Sequence, residues 1–134
     1  MSIAAAEILP DKRVTSFVKE RRKLLIGGQW VDAASGKTFP VQNPATGEVI
    51  AHVAEGDRQD IDRAVKAARR AFESGAWPGL TSSERGRLVW KLGDLILENL
   101  EELAELESLD NGKPVTVARA ADVPLAADLF HYMA

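Results

Sequence analysis

The feature that most limits what this chain can fold into is a change of hydrophobic period near residue 55. Before it, apolar residues come in short extended runs separated by turn formers: "KLLIGGQWV" from Lys23, "KTFPV" from Lys37 and "EVIAHVA" from Glu48. After it, in "GDRQDIDRAVKAARRAFESG", Ile61, Ala64, Val65, Ala68, Ala71 and Phe72 recur at the spacing of one helix face. Strand residues alternate between two faces, whereas helix residues return to one face every third or fourth position. The order is therefore strands first and helices after, with no βαβ alternation. The expected class is α+β: a small antiparallel strand unit over about residues 23–54, followed by roughly three to four helices.

Local chemistry sharpens the boundaries. Residues 1–10 read as a loose tail, and 11–22 as a short helix with Val14, Phe17 and Val18 on one side. Gly27-Gly28 accepts the positive φ angles of a tight hairpin turn. "DAASG" is a loop, Pro40 suits an edge strand, and "NPATGE" is a turn closed by Gly47. Asp57 caps the first long helix and Gly75 ends it, with "AWPGL" as a link. "TSSE" opens the next helix as a capping box of Thr81 and Glu84. Its stripe of Leu88, Leu92, Leu95 and Ile96 is expected to pack in a core. "NLEE" repeats the capping pattern with Asn99 and Glu102, predicting a kink or restart there and a helix to about Leu109. Pro114 starts a last helix running to the end, and Pro124 bends or splits it. That helix closes on "DLFHYMA" without a stop signal, so Phe130, Tyr132 and Met133 call for a partner surface and the ending reads as cut.

Composition removes several function classes. Net charge is -3 and the pI about 5.4, so no basic excess points to nucleic acid. The densest basic run, Lys19 to Lys23, contains Glu20 and reads as a solvated helix end. No apolar run approaches the roughly 18 residues of a membrane span. The N-terminus lacks a basic region and carries Glu7, which favours the cytoplasm. There is no cysteine, which excludes disulfides, thiolate metal sites and thiol nucleophiles.

Several motifs look like sites and are better explained otherwise. "ASGKT" at 34–38 resembles the end of a phosphate-binding loop, but Val31 stands where the leading glycine belongs and Phe39-Pro40 follows as extended chain. No GxGxxG occurs. His52 and His131 are isolated, so packing or exposure is expected of both. Glu101, Glu102, Glu105 and Glu107 are scattered around a helix and read as a solvated face. Ser82, Ser83 and Ser108 lack an arranged base.

Asp110 in "ESLDNGKP" is less easily dismissed. It lies in the last helical turn, where free carbonyls disfavour a carboxylate by about 0.3–1 kcal/mol. A cation drawing oxygens from the carboxylate and nearby carbonyls would offset this. On spacing alone the simpler reading leads: Lys113, three residues on, or water supplies the compensation.

The stretches "LIGGQWVDAASGKTFPVQNPATGEVIAHVAEG", "AVKAARRAFESGAWPGLTSSERGRLVWKLGDLI" and "ELAELESLDNGKP" resemble the N-terminal part of the NAD(P)-dependent aldehyde dehydrogenases, over about residues 23–134. The most specific pieces are "NPATGEVI" and "LESLDNGKP". The resemblance implies a division into a tail and short helix over 1–22 and an incomplete coenzyme-binding domain over 23–134, part of a larger α/β fold. It implies oxidation of an aldehyde to a carboxylic acid, with NAD or NADP as hydride acceptor. A cysteine thiolate captures the aldehyde, an oxyanion hole stabilises the adduct, and a glutamate acts as base. This chain has no cysteine, so no catalytic and no coenzyme-contacting residue carries over, and the piece is expected to be inactive alone.

What carries over is a structural sodium or potassium site, with ligands at the Asp110 carboxylate, the Val41 and Gln42 carbonyls and a further residue outside this chain. The resemblance thus reverses the preference on Asp110. It also places the last helix, around Asp122, Leu125 and Phe130, near the substrate entrance. The implied partners are the remainder of the polypeptide, a small aldehyde and further copies in a homo-oligomer, with no nucleic acid and no membrane. Without that remainder, Leu92, Ile96, Phe130 and Tyr132 are expected to be partly uncovered and the isolated chain prone to association. The competing reading is a non-enzymatic helical module that binds a protein partner through those stripes.

Overall fold

The computed structural model describes residues 11–20 and 22–134. The tail expected over residues 1–10 and Arg21 of the basic run lie outside the described residues. Helix α1 spans Lys12–Lys19, with the Asp11 carboxylate accepting the Arg13 amide at 2.7 Å as its N-cap. Val14 faces inward and is fully buried, and the Asp11 amide donates to Glu105 Oε2 at 2.7 Å. The helix is thereby strapped onto the helical half of the molecule.

The expected antiparallel strand unit takes the form of two two-stranded sheets. Strand β1 (Leu24–Ile26) pairs with β2 (Gln29–Val31), and the turn residues Gly27 and Gly28 have φ of 61° and 77°. Two consecutive left-handed residues match the twist of a tight hairpin, which is why Gly-Gly sits there. Strand β3 (Thr38–Gln42) pairs with β4 (Val49–Ala54), and the register shifts between Val41 and Gln42. Pro40 on β3, an edge strand, opposes His52, so its missing donor costs no interior ladder bond. The segment preceding β1 joins the second sheet: the Arg22 amide donates to His52 O at 3.0 Å, and the Ala54 amide to Arg22 O at 2.8 Å.

Helix α2 (Arg58–Ser74) opens on a full capping box of Asp57 and Asp60. Asp60 is the one buried charged residue among those described, at 2% exposure. It accepts the amides of Ala34 and Asp57 and pairs with Arg63 at 3.2 Å, so its charge is fully hydrogen-bonded. A 3-10 turn at Trp77–Gly79 leads to α3 (Ser82–Glu98), whose Thr81–Glu84 capping box forms as expected. The chain breaks at Asn99 and resumes as α4 (Leu100–Asn111). The second capping box does not form. Asn99 has φ of -110° and ψ of 23°, and its side-chain amide donates back to Leu95 O at 2.8 Å. It closes the helix before it instead of opening the one after.

Gly112 ends α4 in the left-handed conformation, φ 78°. From Pro114 one helical run continues in three parts: α5 (Val115–Val117), a wide π turn (Ala118–Asp122) and α6 (Val123–Met133). Pro124 sits in the first turn of α6, so the expected split takes the form of a π turn just ahead of it. Counting this run once, four long helical segments follow β1, in line with the α+β expectation.

The core is small. Ala104, Ala118 and Val123 are buried together, with Ile96, Leu100 and Val115 packed on them. Helices α3 and α6 meet at glycines: a Cβ on Gly93 would lie 2.5 Å from the His131 ring, and one on Gly86 2.7 Å from Ala134 O. Much apolar surface is left over. Leu88, Leu92 and Leu95 are exposed, Leu92 as the resemblance implies for this segment and Leu88 and Leu95 against the core packing expected of their stripe, and the α2 stripe is bare, with Phe72 at 73%.

Candidate functional site

The three residues named as cation ligands come from two elements whose ends meet. Val41 and Gln42 close β3, where the register shift turns the chain into the 43–47 turn. There the Asn43 carbonyl accepts the Gly47 amide at 2.7 Å and the Asn43 carboxamide oxygen accepts the Ala45 amide at 2.9 Å. Asp110 lies in the last turn of α4, and a Cβ on Gly112, two residues on, would stand 2.9 Å from Pro44 Cγ. The helix C-terminus is thus seated against the start of that turn. Val41 and Asp110 both line a cavity of about 340 Å³ with Phe17, Ile50, Leu103 and Leu106; Gln42 adjoins it but is not among its lining residues.

The local fold of "SLDNGKP" accounts for the placement. Ser108 Oγ donates to Lys113 O at 2.7 Å, and the Lys113 amide donates to Asn111 Oδ1 at 2.8 Å. The Gly112 amide closes one helix-end carbonyl by donating to Ser108 O at 3.0 Å, and the two side-chain bonds brace the loop that follows. They hold Asp110 at the negative end of α4. The expected neutraliser is engaged elsewhere: Lys113 Nζ lies 2.6 Å from Asp122 Oδ2. That hydrogen bond raises the lysine's pKa above its ordinary value. Among the described residues the exposed Asp110 carboxylate has no hydrogen-bond or ion-pair partner. A carboxylate at a helix end, unpaired among the described residues, is the kind of oxygen donor a hard cation takes. No group of three or more His, Cys, Asp or Glu side chains that could hold a metal occurs among the described residues.

The residues placed at the end of the chain separate. Asp122 is tied to Lys113, Phe130 is half-buried, and Leu125 stands 64% exposed. The decoys resolve as turns and packing. Gly36 donates to Ala33 O at 2.8 Å in a turn, and Thr38 begins β3. His52 is exposed on β4, whereas His131 stacks on Trp90 with centroids 4.4 Å apart and reaches Asp94 Oδ1 at 3.0 Å. The α4 glutamates are not merely solvated. Glu101 pairs with Arg119 at 2.7 Å, Glu102 with Arg13 at 3.4 Å, Glu105 accepts the Asp11 amide, and Glu107 accepts from Asn111. Sequence reasoning missed the Lys113–Asp122 pair, because its members stand nine residues apart across a proline and share no helical period.

Comparison with known proteins places this arrangement. Residues 30–134 match the model of the Aldehyde dehydrogenase family. The chain is 52% identical over 134 residues to the mitochondrial aldehyde dehydrogenase family 2 member B4 of Arabidopsis thaliana, covering 99% of this chain and 24% of that protein. It is 49% identical over 137 residues to the mitochondrial aldehyde dehydrogenase of Homo sapiens, covering 100% of this chain and 26% of that one. The solved NAD+ complex of the aldehyde dehydrogenase from Bacillus cereus superimposes with a TM-score of 0.90 at 49% identity, over 92% of this chain and 25% of that chain. The chain therefore spans about a quarter of the length of the relatives it matches.

Proposed function

Because the chain belongs to the aldehyde dehydrogenase family, we propose that it serves as the N-terminal scaffold of an enzyme oxidising an aldehyde to a carboxylic acid with NAD(P)+ as hydride acceptor. The observation that carries this is the superposition on a quarter of an NAD+-bound enzyme by a chain with no cysteine. NAD is the acceptor favoured, by analogy with that complex. A thiolate must come from elsewhere in the polypeptide, because aldehyde capture needs a nucleophile this segment does not contain. Residues 23–134 are then part of the coenzyme-binding domain, preceded by a tail and short helix over 1–22. The bare faces of α2, α3 and α6 suit burial against the rest of the polypeptide.

The test is aldehyde-dependent NADH formation by the polypeptide continuing beyond Ala134, across aromatic, aliphatic and amino aldehydes. Turnover by the longer polypeptide and none by residues 1–134 is expected. Turnover by residues 1–134 alone would overturn the scaffold role; none by the longer polypeptide with any aldehyde would overturn the enzyme reading. The same bare faces would also suit a separate protein partner. A stop codon after Ala134 would favour that module, and a cysteine-bearing continuation the enzyme.

The same reading makes Asp110 a ligand of a structural potassium or sodium ion, with the Val41 and Gln42 carbonyls and a ligand from beyond this chain. That this carboxylate, at a helix C-terminus, has no partner among the described residues supports it. Potassium should raise the melting temperature of the complete polypeptide, and Asp110→Ala should abolish the rise. An equal rise in the variant would remove Asp110 from the site. Assembly into a homo-oligomer and a cytoplasmic location belong to the same proposal. Among the described residues no helix is long and apolar enough to cross a membrane, and the relatives include mitochondrial enzymes, so fractionation of expressing cells decides the compartment.

A further inference from the structure

Helix α1, the β3–β4 sheet and α4 meet around the cavity of about 340 Å³, a size within the roughly 300–1,000 Å³ of small-molecule sites. Each element lines it with apolar side chains, among them Phe17 from α1, Ile50 and Val53 from β4, and Leu103 and Leu106 from α4. Its charged lining residues are Arg22, Glu107 and Asp110. A mostly apolar hollow with a few placed polar groups is the general form of a ligand site.

The charges are divided between two ends. The Arg22 backbone bonds to His52 and Ala54, which sets it beside Val53, at the end of the sheet away from the β3–β4 turn. Asp110 lies at the opposite end, two residues before Gly112, which is seated against Pro44 in that turn. Glu107, three residues before Asp110, shares its side of α4. One end of the cavity is therefore cationic and the other carries two carboxylates.

Arg22 is only partly engaged. Its guanidinium lies over the Phe17 ring, 3.7 Å from the centroid, and Nη2 donates to Phe17 O and, at 3.3 Å, to Glu20 Oε2. The Glu20 side chain is 72% exposed, so water screens that pair. Arg22 Nε is buried and has no hydrogen-bond partner among the described residues. A buried donor without an acceptor costs free energy that an incoming acceptor recovers. A carboxylate suits a guanidinium best, because both partners of the bond are charged. The two acids at the far end repel a second negative charge, so the ligand carries one, with an apolar body behind it.

We propose that this cavity binds a small apolar monocarboxylate, its carboxylate on Arg22 and its chain laid along Phe17, Ile50 and Leu106. The site needs only α1, the sheet and α4, and it is independent of the proposed reaction.

Octanoate carrying a photoreactive diazirine tests this on the complete polypeptide. Peptide mapping separates this cavity from any other place that takes the same probe. Labelling is expected on the peptides bearing Phe17, Ile50 or Leu106. Plain octanoate should displace the probe there, octanol only at about tenfold higher concentration, the worth of a charged hydrogen bond, and octylamine not at all. Arg22→Met should weaken labelling by about the same factor, and Ala51→Leu, which fills the hollow, should abolish it. No label on those peptides of the parent would overturn the site. Octanol competing as well as octanoate, or octylamine competing better, would overturn the carboxylate assignment. These competitions use the parent alone, so they decide the matter even if a variant fails to fold. A folded R22M labelled as strongly as the parent would remove Arg22 from the site.

Discussion

Gly93 shows how one absent methyl group shapes the molecule. A Cβ there would stand 2.5 Å from two atoms of the His131 ring and 3.0 Å from Ala127 O. The ring has little room to retreat, because it stacks on Trp90 and is bonded to Asp94. Gly93→Ala should therefore lower stability by about 1–3 kcal/mol, the usual cost of overpacking. Denaturant midpoints of the complete polypeptide check this, and adding His131→Ala should recover part of the loss. Glu84 carries a pH dependence. The Thr81 hydroxyl and amide on its carboxylate hold its pKa below the ordinary glutamate value. A depressed acid adds stability above the unfolded group's pKa and loses it as pH falls through the lower folded value. The melting-temperature gap between parent and Thr81→Ala should thus be widest at neutral pH and narrow on acidification, the bond from the Glu84 amide to the Thr81 hydroxyl leaving a remainder that does not titrate. A gap that stays constant down to strongly acid pH would contradict the assignment.

At the scale of elements, the helix boundaries follow local chemistry closely where the signal is a side chain bonding its own backbone. The Thr81–Glu84 box, the Asp57 cap and the Gly-Gly turn are of this kind. The Asn99–Glu102 pattern looked the same and failed, because an asparagine at a helix junction can serve either helix, and this one bonds back to Leu95. Gly112 tests the joint between α4 and the β3–β4 turn. Alanine there would adopt a left-handed conformation at about 1–2 kcal/mol, and its Cβ would press on Pro44 at 2.9 Å. Gly112→Ala should destabilise by at least that conformational cost and, on the cation reading, shrink the potassium-induced rise in melting temperature. A potassium rise equal to the parent's would separate Asp110 from this joint.

For the whole molecule the decisive quantity is uncovered apolar surface. Ile61, Val65 and Phe72 on α2 and Leu125, Leu129 and Tyr132 on α6 are all exposed, Tyr132 at 84%. Residues 1–134 alone should therefore associate as concentration rises, and sedimentation velocity from micromolar upward measures it. Ile61→Lys with Phe72→Glu should reduce that association while impairing the soluble yield of the complete polypeptide. A concentration-independent monomer with one sharp thermal transition would show that these faces need no cover. Of the residues expected to be partly uncovered, Leu92 and Tyr132 are exposed and Ile96 and Phe130 are half-buried, because Ile96 packs on the Ala104 cluster and α6 crosses α3.

What the residues determined by themselves was the order of elements, most caps and turns, and the absence of a thiol chemistry. These depend on φ preferences, hydrophobic period and side-chain inventory, all of which act within a few positions. Asp110 was legible as an oddity from its place at a helix end. That Lys113 would turn from it to Asp122, nine residues away, was not. Nor, from periodicity alone, was the bareness of Leu88 and Leu95 on α3, since periodicity says which residues share a face and nothing about what lies opposite. The meeting of β3 with the end of α4, the division into two sheets and the π register of α6 were decided only in three dimensions. Each depends on contacts between segments far apart in the chain, whose partners no local pattern specifies.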